Sequence, residues 1–315
     1  MSKYLVVGDP HARPDNLHKI NKLFHLVESK ELPVIWLGDM LDTKDIVRAQ
    51  CLNAYINYFK NSKLNHIVLI GNHDQLSANT QDHALEALKL LPNVKVVDKP
   101  YILDNLLFVP YYRSPEDFKL AISQARAIKS LNYLFMHQDI VSMDYGNGYI
   151  STEGNTLEDL KGFKLVISGH YHSYQDKDNL IYLGTPFSHN FGDTQQDKYL
   201  GVFDSESGKF QTIPTDFPKH ITVTLDLSNP HHFEINEQDH GRVILKGTRE
   251  QLDKFDMKML SKFKIVQECQ SNVVKSGLKE TDSPEEIYSK WYKEVNKGED
   301  AELFNLGLEV LKIVK

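Results

Sequence analysis

Eight side chains of the types that bind divalent metal ions stand at the ends of short apolar runs in this sequence. They are carboxylates, an amide and imidazoles, with no thiolate among them: Asp9, His11, Asp39, Asn72, His73, His137, His170 and His172. Oxygen and neutral imidazole ligands suit borderline to hard divalent ions such as manganese, and the absence of cysteine disfavours a structural zinc site. The residue types therefore predict a catalytic metal centre.

Eight groups are more than one ion can bind. Two ions about 3.5 to 4 Å apart, bridged by one carboxylate, would use them and would form the paired-metal clamp typical of phosphoester hydrolysis. Such a pair activates water for attack on phosphorus and neutralises the phosphate oxygens. The number of ligand-type residues thus favours phosphoester chemistry.

The apolar runs before these residues are typical of buried β-strands. They cover residues 4–7, 34–37, 67–70, 133–136 and 165–167, and they are short and rich in β-branched residues. Between the first three runs, residues 16–29 and 47–61 carry apolar positions spaced by three and four, which predicts helices. This alternation predicts βαβ units with a partly parallel sheet, and such sheets bind ligands outside the carboxyl ends of their strands.

Five motifs then follow one another along the chain: Asp9-Pro10-His11, Gly38-Asp39-Met40-Leu41-Asp42, Gly71-Asn72-His73-Asp74, His137 and Gly169-His170-Tyr171-His172. In this order they resemble the signature of calcineurin-like metallophosphoesterases. The resemblance implies an α/β fold in which a metallophosphoesterase β-sandwich is flanked by helices. The stretches 182–187, 191–193 and 201–204 are similar to the SbcD-type branch, which includes phage recombination nucleases and supplies the nuclease subunit of a double-strand-break-repair complex.

The resemblance also implies a role for each motif residue. Four residues would bind each of two ions, with Asp39 shared: Asp9, His11, Asp39 and His172 for the first, and Asp39, Asn72, His137 and His170 for the second. We expect manganese, with magnesium as the alternative. His73 would protonate or stabilise the leaving oxygen, oriented by a hydrogen bond with Asp42. Because Asp42 stands where some relatives have histidine, the balance of exonuclease and endonuclease activity stays open.

Beyond residue 215 the ligand-bearing pattern ends. By resemblance, we predict a nuclease domain at residues 1–215, a small α/β DNA-capping domain at 216–280, and a C-terminal helical hairpin at 281–315. The hairpin would bind the coiled coil of an SbcC-type ATPase through a set of apolar and aromatic side chains: Ile287, Trp291, Tyr292, Leu303, Phe304, Leu308 and Leu311. The pattern alone supports docking on the chain's own domain equally well.

The charge balance limits how nucleic acid could bind. Lys and Arg total 36 against 43 Asp and Glu, a net charge of −7, so that no global basic field attracts DNA. Local contacts to double- or single-stranded DNA are expected from Lys44, Arg48 and Arg113. Two cysteines and no apolar run of about 20 residues predict a soluble protein of a reducing compartment, the cytoplasm or the host cytoplasm of a phage. By resemblance we expect a homodimer.

The leading hypothesis is a metal-dependent DNA exonuclease or endonuclease subunit that works with an ATPase in recombination and repair. A stand-alone phosphodiesterase or phosphatase for small substrates is the alternative, and a non-catalytic metal-bound scaffold is disfavoured because no ligand position is replaced. The remaining histidines without a motif are predicted to be ordinary surface residues: His18, His25, His66, His83, His231 and His232. His189, near the predicted site, is expected to be scaffold.

Overall fold

The computed structural model describes residues 3–43, 46–76, 82–145, 148–193, 196–269, 283–295 and 304–309. Its strands, in chain order, are β1 (Lys3–Val7), β2 (Val34–Trp36), β3 (His66–Leu69), β4 (Val94–Val97), β5 (Tyr101–Leu103), β6 (Leu106–Val109), β7 (Tyr133–His137), β8 (Leu165–Gly169), β9 (Gln175–Lys177), β10 (Leu180–Tyr182), β11 (Tyr199–Asp204), β12 (Phe210–Pro214), β13 (His220–Asp226), β14 (His240–Gly247) and β15 (Lys264–Cys269). Its α-helices are α1 (Leu17–Glu28), α2 (Ala49–Asn61), α3 (Pro115–Ile128), α4 (Arg249–Lys254) and α5 (Pro284–Val295). Short 3₁₀ helices span Glu86–Leu90, Leu157–Leu160, Phe191–Asp193 and Met257–Leu260.

Two six-stranded sheets form the larger part of the fold, with strand orders β12-β11-β1-β2-β3-β4 and β5-β6-β7-β8-β10-β9. Strands β1 to β4 are mutually parallel, as are β6, β7, β8 and β10, whereas β11, β12, β5 and β9 join antiparallel at the edges. Parallel neighbours place their carboxyl ends on the same edge of a sheet. The predicted α/β sandwich flanked by helices is confirmed.

Successive side chains of each strand point to opposite faces of its sheet, and this alternation produces the layers of the fold. In β1, Leu5 and Val7 belong to a core shared with the apolar faces of α1 and α2, whereas Tyr4 and Val6 belong to a core shared with the other sheet. A third core packs α3 on the outer face of the second sheet. The central strands are therefore buried on both faces, which explains why their sequences read as continuous apolar runs.

The helices begin and end where local signals direct. Helix α1 buries Ile20, Leu23 and Val27 at the predicted spacing of three and four. In α5, Ser283 and Glu286 cap each other, because the Glu286 N–H donates to Ser283 Oγ and the Ser283 N–H donates to Glu286 Oε2. This capping box and the proline at the first helical position are typical of the start of a helix.

The chain divides into two compact units, one made of Met1–Thr222 with Glu234–Arg242, and the other of Val223–Phe233 with Val243–Lys315. The second unit has its own core, to which β13, β14, α4 and the adjacent 3₁₀ helix contribute: Leu225, Val243, Leu245, Leu252 and Leu260. The boundaries near 215 and 280 stay predictions. Within the described ranges, no helix is long and apolar enough to cross a bilayer.

Candidate metal centre

The carboxyl ends of five strands bring the eight motif residues to one place. At or just after β1, β2, β3, β7 and β8 stand, in that order, Asp9 and His11, then Asp39, then Asn72 and His73, then His137, and last His170 and His172. Two glycines permit the loops to approach so closely. A Cβ at Gly71 would collide with the carboxylate of Asp39, and one at Gly169 with the carboxylate of Asp9.

Three of these residues hold the backbone in the left-handed region. The φ angles are 42° at His11, 48° at Asp39 and 94° at His170. Non-glycine residues adopt positive φ uncommonly, and such strained positions cluster at functional sites. Hydrogen bonds hold the turns in place, since the His11 N–H donates to the Asp39 carbonyl at 2.9 Å and the His170 N–H donates to Asp9 Oδ2 at 2.6 Å.

One half of the site, which we call the His137 subsite, comprises Asp39, Asn72, His137 and His170. Asn72 Oδ1 lies 2.9 Å from His137 Nε2 and 3.0 Å from His170 Nδ1, and these two nitrogens are 3.3 Å apart. Asp39 Oδ2 is 3.3 Å from His137 Nε2. Four potential ligand atoms thus converge from loops at the ends of four strands.

The other half, the His11 subsite, comprises Asp9, His11, Asp39 and His172. His11 Nε2 lies 3.1 Å from His172 Nε2 and 3.5 Å from Asp39 Oδ2. Asp9, His11 and His172 offer ligand atoms that are all within 4.8 Å of one another. The same oxygen of Asp39 therefore lies near both subsites, as a shared carboxylate would.

The hydrogen-bond pattern of the His137 subsite suits a cation. In its neutral form, which is the form that binds a metal, His137 donates its Nδ1–H to the Leu37 carbonyl at 2.8 Å, and the lone pair of Nε2 then faces Asn72 Oδ1. Lone pairs that face one another repel unless a positive charge lies between them. Separations near 3 Å also match neighbouring ligands in an octahedron with bonds of about 2.1 Å.

The pKa values of groups in the His137 subsite also favour a bound cation. Burial, the largest effect, lowers the pKa of His137, but the carboxylates of Asp39 and Asp9 outweigh it and raise that pKa to about 10. Burial likewise would raise the pKa of Asp39, yet His137 and His11 lower it well below its ordinary value. The Asp39 carboxylate is thus ionised, and it creates a negative field that a metal ion would also satisfy.

The His11 subsite contains neutral imidazoles and an unsatisfied carboxylate oxygen. Burial lowers the pKa of His11 well below its ordinary value and that of His172 to about 4. Burial raises the pKa of Asp9 to about 8, and Asp9 Oδ1 is buried without a hydrogen-bond partner. Neutral imidazole is the form that binds a metal, and a cation would relieve the cost of the buried carboxylate. Both subsites therefore fit divalent metal ions.

His73 lies beside the two subsites with its backbone anchored at the centre. Its N–H donates to Asp39 Oδ1 at 2.7 Å, and its ring stands perpendicular to the His11 ring with centroids 4.8 Å apart. Its Nδ1–H donates to the backbone carbonyl of Asp42 at 2.6 Å. The expected contact with Asp42 thus runs through the main chain, while the Asp42 carboxylate lies 3.7 Å from His11 Nδ1.

Several polar residues around the ligands carry no signal of their own in the sequence. Asp139 Oδ1 accepts the Nε2–H of His170 at 2.7 Å, and Asp74 accepts from the N–H groups of Leu41 and Gly71 at 3.1 and 3.0 Å. Asp139 follows His137 by two residues, and Asp74 closes the Gly-Asn-His-Asp motif, so proximity to a motif was the available clue. The structure also buries His189, whose ring centroid is 5.4 Å from that of His11.

The prediction that unassigned histidines lie at the surface is correct for four and wrong for two. His18, His25, His231 and His232 are exposed. His66 is buried, since it begins β3, and it accepts a hydrogen bond from Trp36 Nε1 at 3.3 Å. His83 is buried as well. A single histidine has no periodicity, so that its burial depends on the element that carries it.

His83 belongs to a further cluster of metal-binding residue types, with Glu86 and Asp98. Its chemistry differs from that of the strand-end site. His83 Nδ1 accepts from the Leu85 N–H at 3.2 Å, so Nε2 of the neutral ring carries the proton and offers no lone pair. The ammonium of Lys89 lies 2.7 Å from both carboxylates. A cationic side chain already satisfies this cluster, and we assign no metal to it.

The residues predicted to contact DNA or a partner differ in exposure. Arg48 and Arg113 are exposed, and Lys44 falls outside the described residues. On α5, Ile287 and Trp291 are 42% and 50% exposed, whereas Tyr292 is buried. Residues 304–309 are helical, and Phe304 stacks on Tyr288 with centroids 5.5 Å apart. Leu308 is half-buried, and Leu303 and Leu311 lie outside the described residues.

Comparison with known proteins agrees with the geometry. The chain matches the calcineurin-like phosphoesterase family over residues 2–174. Protein 244L of Invertebrate iridescent virus 6, named as a phosphoesterase, is 30% identical over 277 residues, which cover 80% of this chain and 96% of that protein. Exonuclease subunit 1 of Enterobacteria phage T4 is 23% identical over 265 residues, which cover 80% of this chain and 76% of that protein.

Among solved structures, an archaeal phosphodiesterase matches with 17% identity and a TM-score of 0.38, covering 68% of this chain and 99% of that chain. The family match extends from β1 through the last histidine motif, and thus includes every strand end of the metal centre. The chain therefore belongs to the calcineurin-like phosphoesterases, a family of enzymes that use divalent metal ions.

Proposed function

We propose that this phosphoesterase is a metal-dependent DNA nuclease, the exonuclease or endonuclease subunit of an SbcC/SbcD-type recombination and double-strand-break-repair complex. The observation that carries the proposal is the convergence of six ligand-type side chains around the single carboxylate of Asp39. Metal pairs of this kind hydrolyse phosphodiesters in nucleases as well as phosphatases. The choice of DNA rests on further support.

Asp9, His11, Asp39 and His172 would hold one ion, and Asp39, Asn72, His137 and His170 the other. We infer manganese, with magnesium as a second candidate, because imidazole and carboxylate are mixed at both subsites. When bound, the ions supply Lewis acidity to the phosphate and lower the pKa of attacking water.

His73 would handle the proton of the leaving oxygen. Because its Nδ1–H is committed to the Asp42 carbonyl, Nε2 is the atom free to face a substrate. The side chain is half-buried and stands beside His11, and a ring nitrogen of His73 lies within 4.8 Å of ligand atoms of His11 and Asp39. Asp42 fixes this orientation through its backbone, so that His73 would act as general acid at the edge of the centre.

Two observations support DNA as the substrate. The similarity to a phage exonuclease subunit continues over 80% of the chain, well beyond the family match that ends at residue 174. The second unit adds a separate core that hydrolysis of a small molecule does not require. Lys44, Arg48 and Arg113 remain our candidates for phosphate contact.

The alternative is a stand-alone phosphodiesterase or phosphatase for small substrates. It is favoured by the 30% identity to a viral protein that is named only as a phosphoesterase. The two functions share the metal centre and differ in what must bind outside it.

Cleavage of end-labelled duplex and single-stranded DNA in manganese separates them. The nuclease proposal predicts release of nucleotides from DNA, abolished in Asn72→Ala and retained in Asn53→Ala, an exposed asparagine on α2. Bis(4-nitrophenyl) phosphate serves as the small substrate. Hydrolysis of that diester with DNA left intact, alone and with the ATPase, would establish the alternative, and loss of both activities in Asn72→Ala excludes a non-catalytic scaffold.

The ATPase partner would bind through α5. Tyr288 and Tyr292 pack against Phe304, while Ile287 and Trp291, one helical turn apart, remain exposed. Two exposed apolar side chains on a helix that is rich in aromatic residues are suited to binding in the groove of a coiled coil. We expect the double substitution Ile287→Glu and Trp291→Glu to abolish co-purification with the ATPase and to spare diester hydrolysis. Leu90→Glu, at a leucine 85% exposed in the other unit, is the control.

A further inference from the structure

The two ring nitrogens of His170 have different partners. Nδ1 faces the His137 subsite, 3.0 Å from Asn72 Oδ1 and 3.3 Å from His137 Nε2. Nε2 faces away from it and lies 2.7 Å from Asp139 Oδ1. A carboxylate only accepts hydrogen bonds, so Nε2 carries the proton and Nδ1 presents its lone pair to the subsite.

We propose that Asp139 is a positioning residue that sets the tautomer and the ring direction of His170, and that Tyr111 holds Asp139 in place. The proposal rests on the metal-dependent function proposed above. Among the described residues, it gives an imidazole of the His137 subsite a carboxylate at hydrogen-bond distance, which no imidazole of the His11 subsite has on the side facing away from the ligands. A carboxylate behind a metal-binding imidazole orients the ring and makes it a stronger ligand.

Contacts on both sides fix Asp139. The Tyr111 hydroxyl lies 3.4 Å from Asp139 Oδ2, and the Tyr111 ring stacks on the His170 ring at 27° with centroids 5.8 Å apart. The backbone of Asp139 is bound as well, because its carbonyl accepts the Asn155 N–H at 3.0 Å. Tyr111 in turn donates its N–H to the Ile70 carbonyl, at the start of the loop that carries Asn72. The pair of Asp139 and Tyr111 thus connects the three loops that carry Asn72, His137 and His170.

The other imidazoles of the centre lack an equivalent partner. His137 donates from Nδ1 to a neutral carbonyl, that of Leu37. His172 Nδ1 is 4.0 Å from the nearest Asp193 oxygen, and His11 Nδ1 is 3.7 Å from Asp42. Within the described part of the chain, only His170 has a carboxylate inside 3 Å of the nitrogen that faces away from its subsite. Removal of Asp139 should therefore affect one ion more than the other.

Calorimetric titration of the chelator-treated full chain with manganese chloride tests this. The unmodified chain should bind two ions. We expect Asp139→Ala to weaken one of them by about 10- to 100-fold and to leave the other unchanged. Excess manganese should restore diester hydrolysis in this variant, because the ligands themselves are intact.

Asp159→Ala is the matched control. Asp159 caps a 3₁₀ helix by accepting from the Thr156 N–H and hydroxyl, each at 2.8 Å, so its loss should lower thermal stability and leave both affinities unchanged. Tyr111→Phe removes only one hydroxyl and should weaken the same ion by a smaller factor. Should Asp139→Ala fail to fold, Tyr111→Phe tests the positioning role in its place.

Unchanged affinity for both ions in Asp139→Ala, or equal weakening of the two, would overturn the positioning role. Either result would leave the proposed function standing, provided that the unmodified chain binds two ions and cleaves DNA. Failure of the unmodified chain to bind two manganese ions would instead count against the metal centre itself.

Discussion

His66 and His137 are both buried histidines on strands of the same sandwich, yet their surroundings shift their pKa values in opposite directions. At the start of β3, burial lowers the pKa of His66 to about 3. At the end of β7, Asp39 and Asp9 overcome burial and raise the pKa of His137 to about 10. Burial alone therefore makes a neutral core residue, and buried carboxylates at the carboxyl ends of the strands make a cation site.

The neighbours of the two rings show the same contrast. His66 accepts from Trp36 Nε1 and contacts the Ser62 hydroxyl at 2.9 Å, so that both nitrogens are satisfied by neutral groups. His137 faces Asn72 Oδ1 and the carboxylate of Asp39. The buried carboxylate beside His137 thus distinguishes this ring from that of His66, and three substitutions probe the difference between the two regions.

The largest effect is expected from Asp39→Asn, which removes the shared negative charge and keeps a residue that tolerates positive φ. We expect loss of the paired ions and a fall in manganese-dependent diester hydrolysis of at least about 100-fold. Asp178→Asn is the control, because Asp178 is exposed and has φ of 57°, close to the 48° of Asp39. Two ions retained in Asp39→Asn, measured by calorimetry, would refute the sharing of this carboxylate.

A smaller loss, confined to turnover, is expected from His73→Ala. Both ions should remain bound, and the rate of diester hydrolysis should fall by about 10²- to 10⁴-fold, the usual contribution of general acid catalysis. The metal content of His73→Ala is to be compared with its rate of diester hydrolysis. Equal loss of metal in His73→Ala and in Asp39→Asn would contradict the role assigned to His73.

The smallest effect is expected on the stability of the fold, and it concerns His66 at the start of β3. Because the pKa of His66 is near 3 in the folded chain and near 6.5 when unfolded, the unfolded state binds the extra proton, and stability falls as pH drops below about 6.5. Between pH 7 and pH 5 this group should cost about 2 kcal/mol of unfolding free energy.

Urea denaturation at the two pH values measures this cost. In His66→Gln the loss between pH 7 and pH 5 should be smaller by about that amount, while His25→Gln, at an exposed histidine of α1, should follow the unmodified chain. The same pH dependence in His66→Gln and the unmodified chain would show that His66 is not the buried neutral group described.

The meeting of the eight motif side chains was predictable from sequence because they obey a local rule: each stands at the end of a buried parallel strand. Asp9 and His170 are 161 residues apart in sequence, and no local pattern shows that they meet, but the shared edge of the strands does. The resemblance to a known signature supplied the division into two subsites and the separate position of His73.

The surrounding contacts were not predictable in the same way. The bond between Asp139 and His170 joins two loops across 31 positions, and neither its distance nor the stacking of Tyr111 leaves a periodic trace in the sequence. Strands β4 to β6 and helix α3 also went unpredicted from periodicity, although Ser114 and Pro115 form a regular helix start. Long-range packing decides such elements, and it is visible only in three dimensions.

Diffraction at the manganese absorption edge, from crystals grown with that ion, tests most directly whether two metal ions share Asp39. The expected result is two anomalous peaks about 3.5 to 4 Å apart, both next to the Asp39 carboxylate, one among the His11 subsite ligands and the other among those of the His137 subsite. A single peak, or peaks away from Asp39, would contradict it.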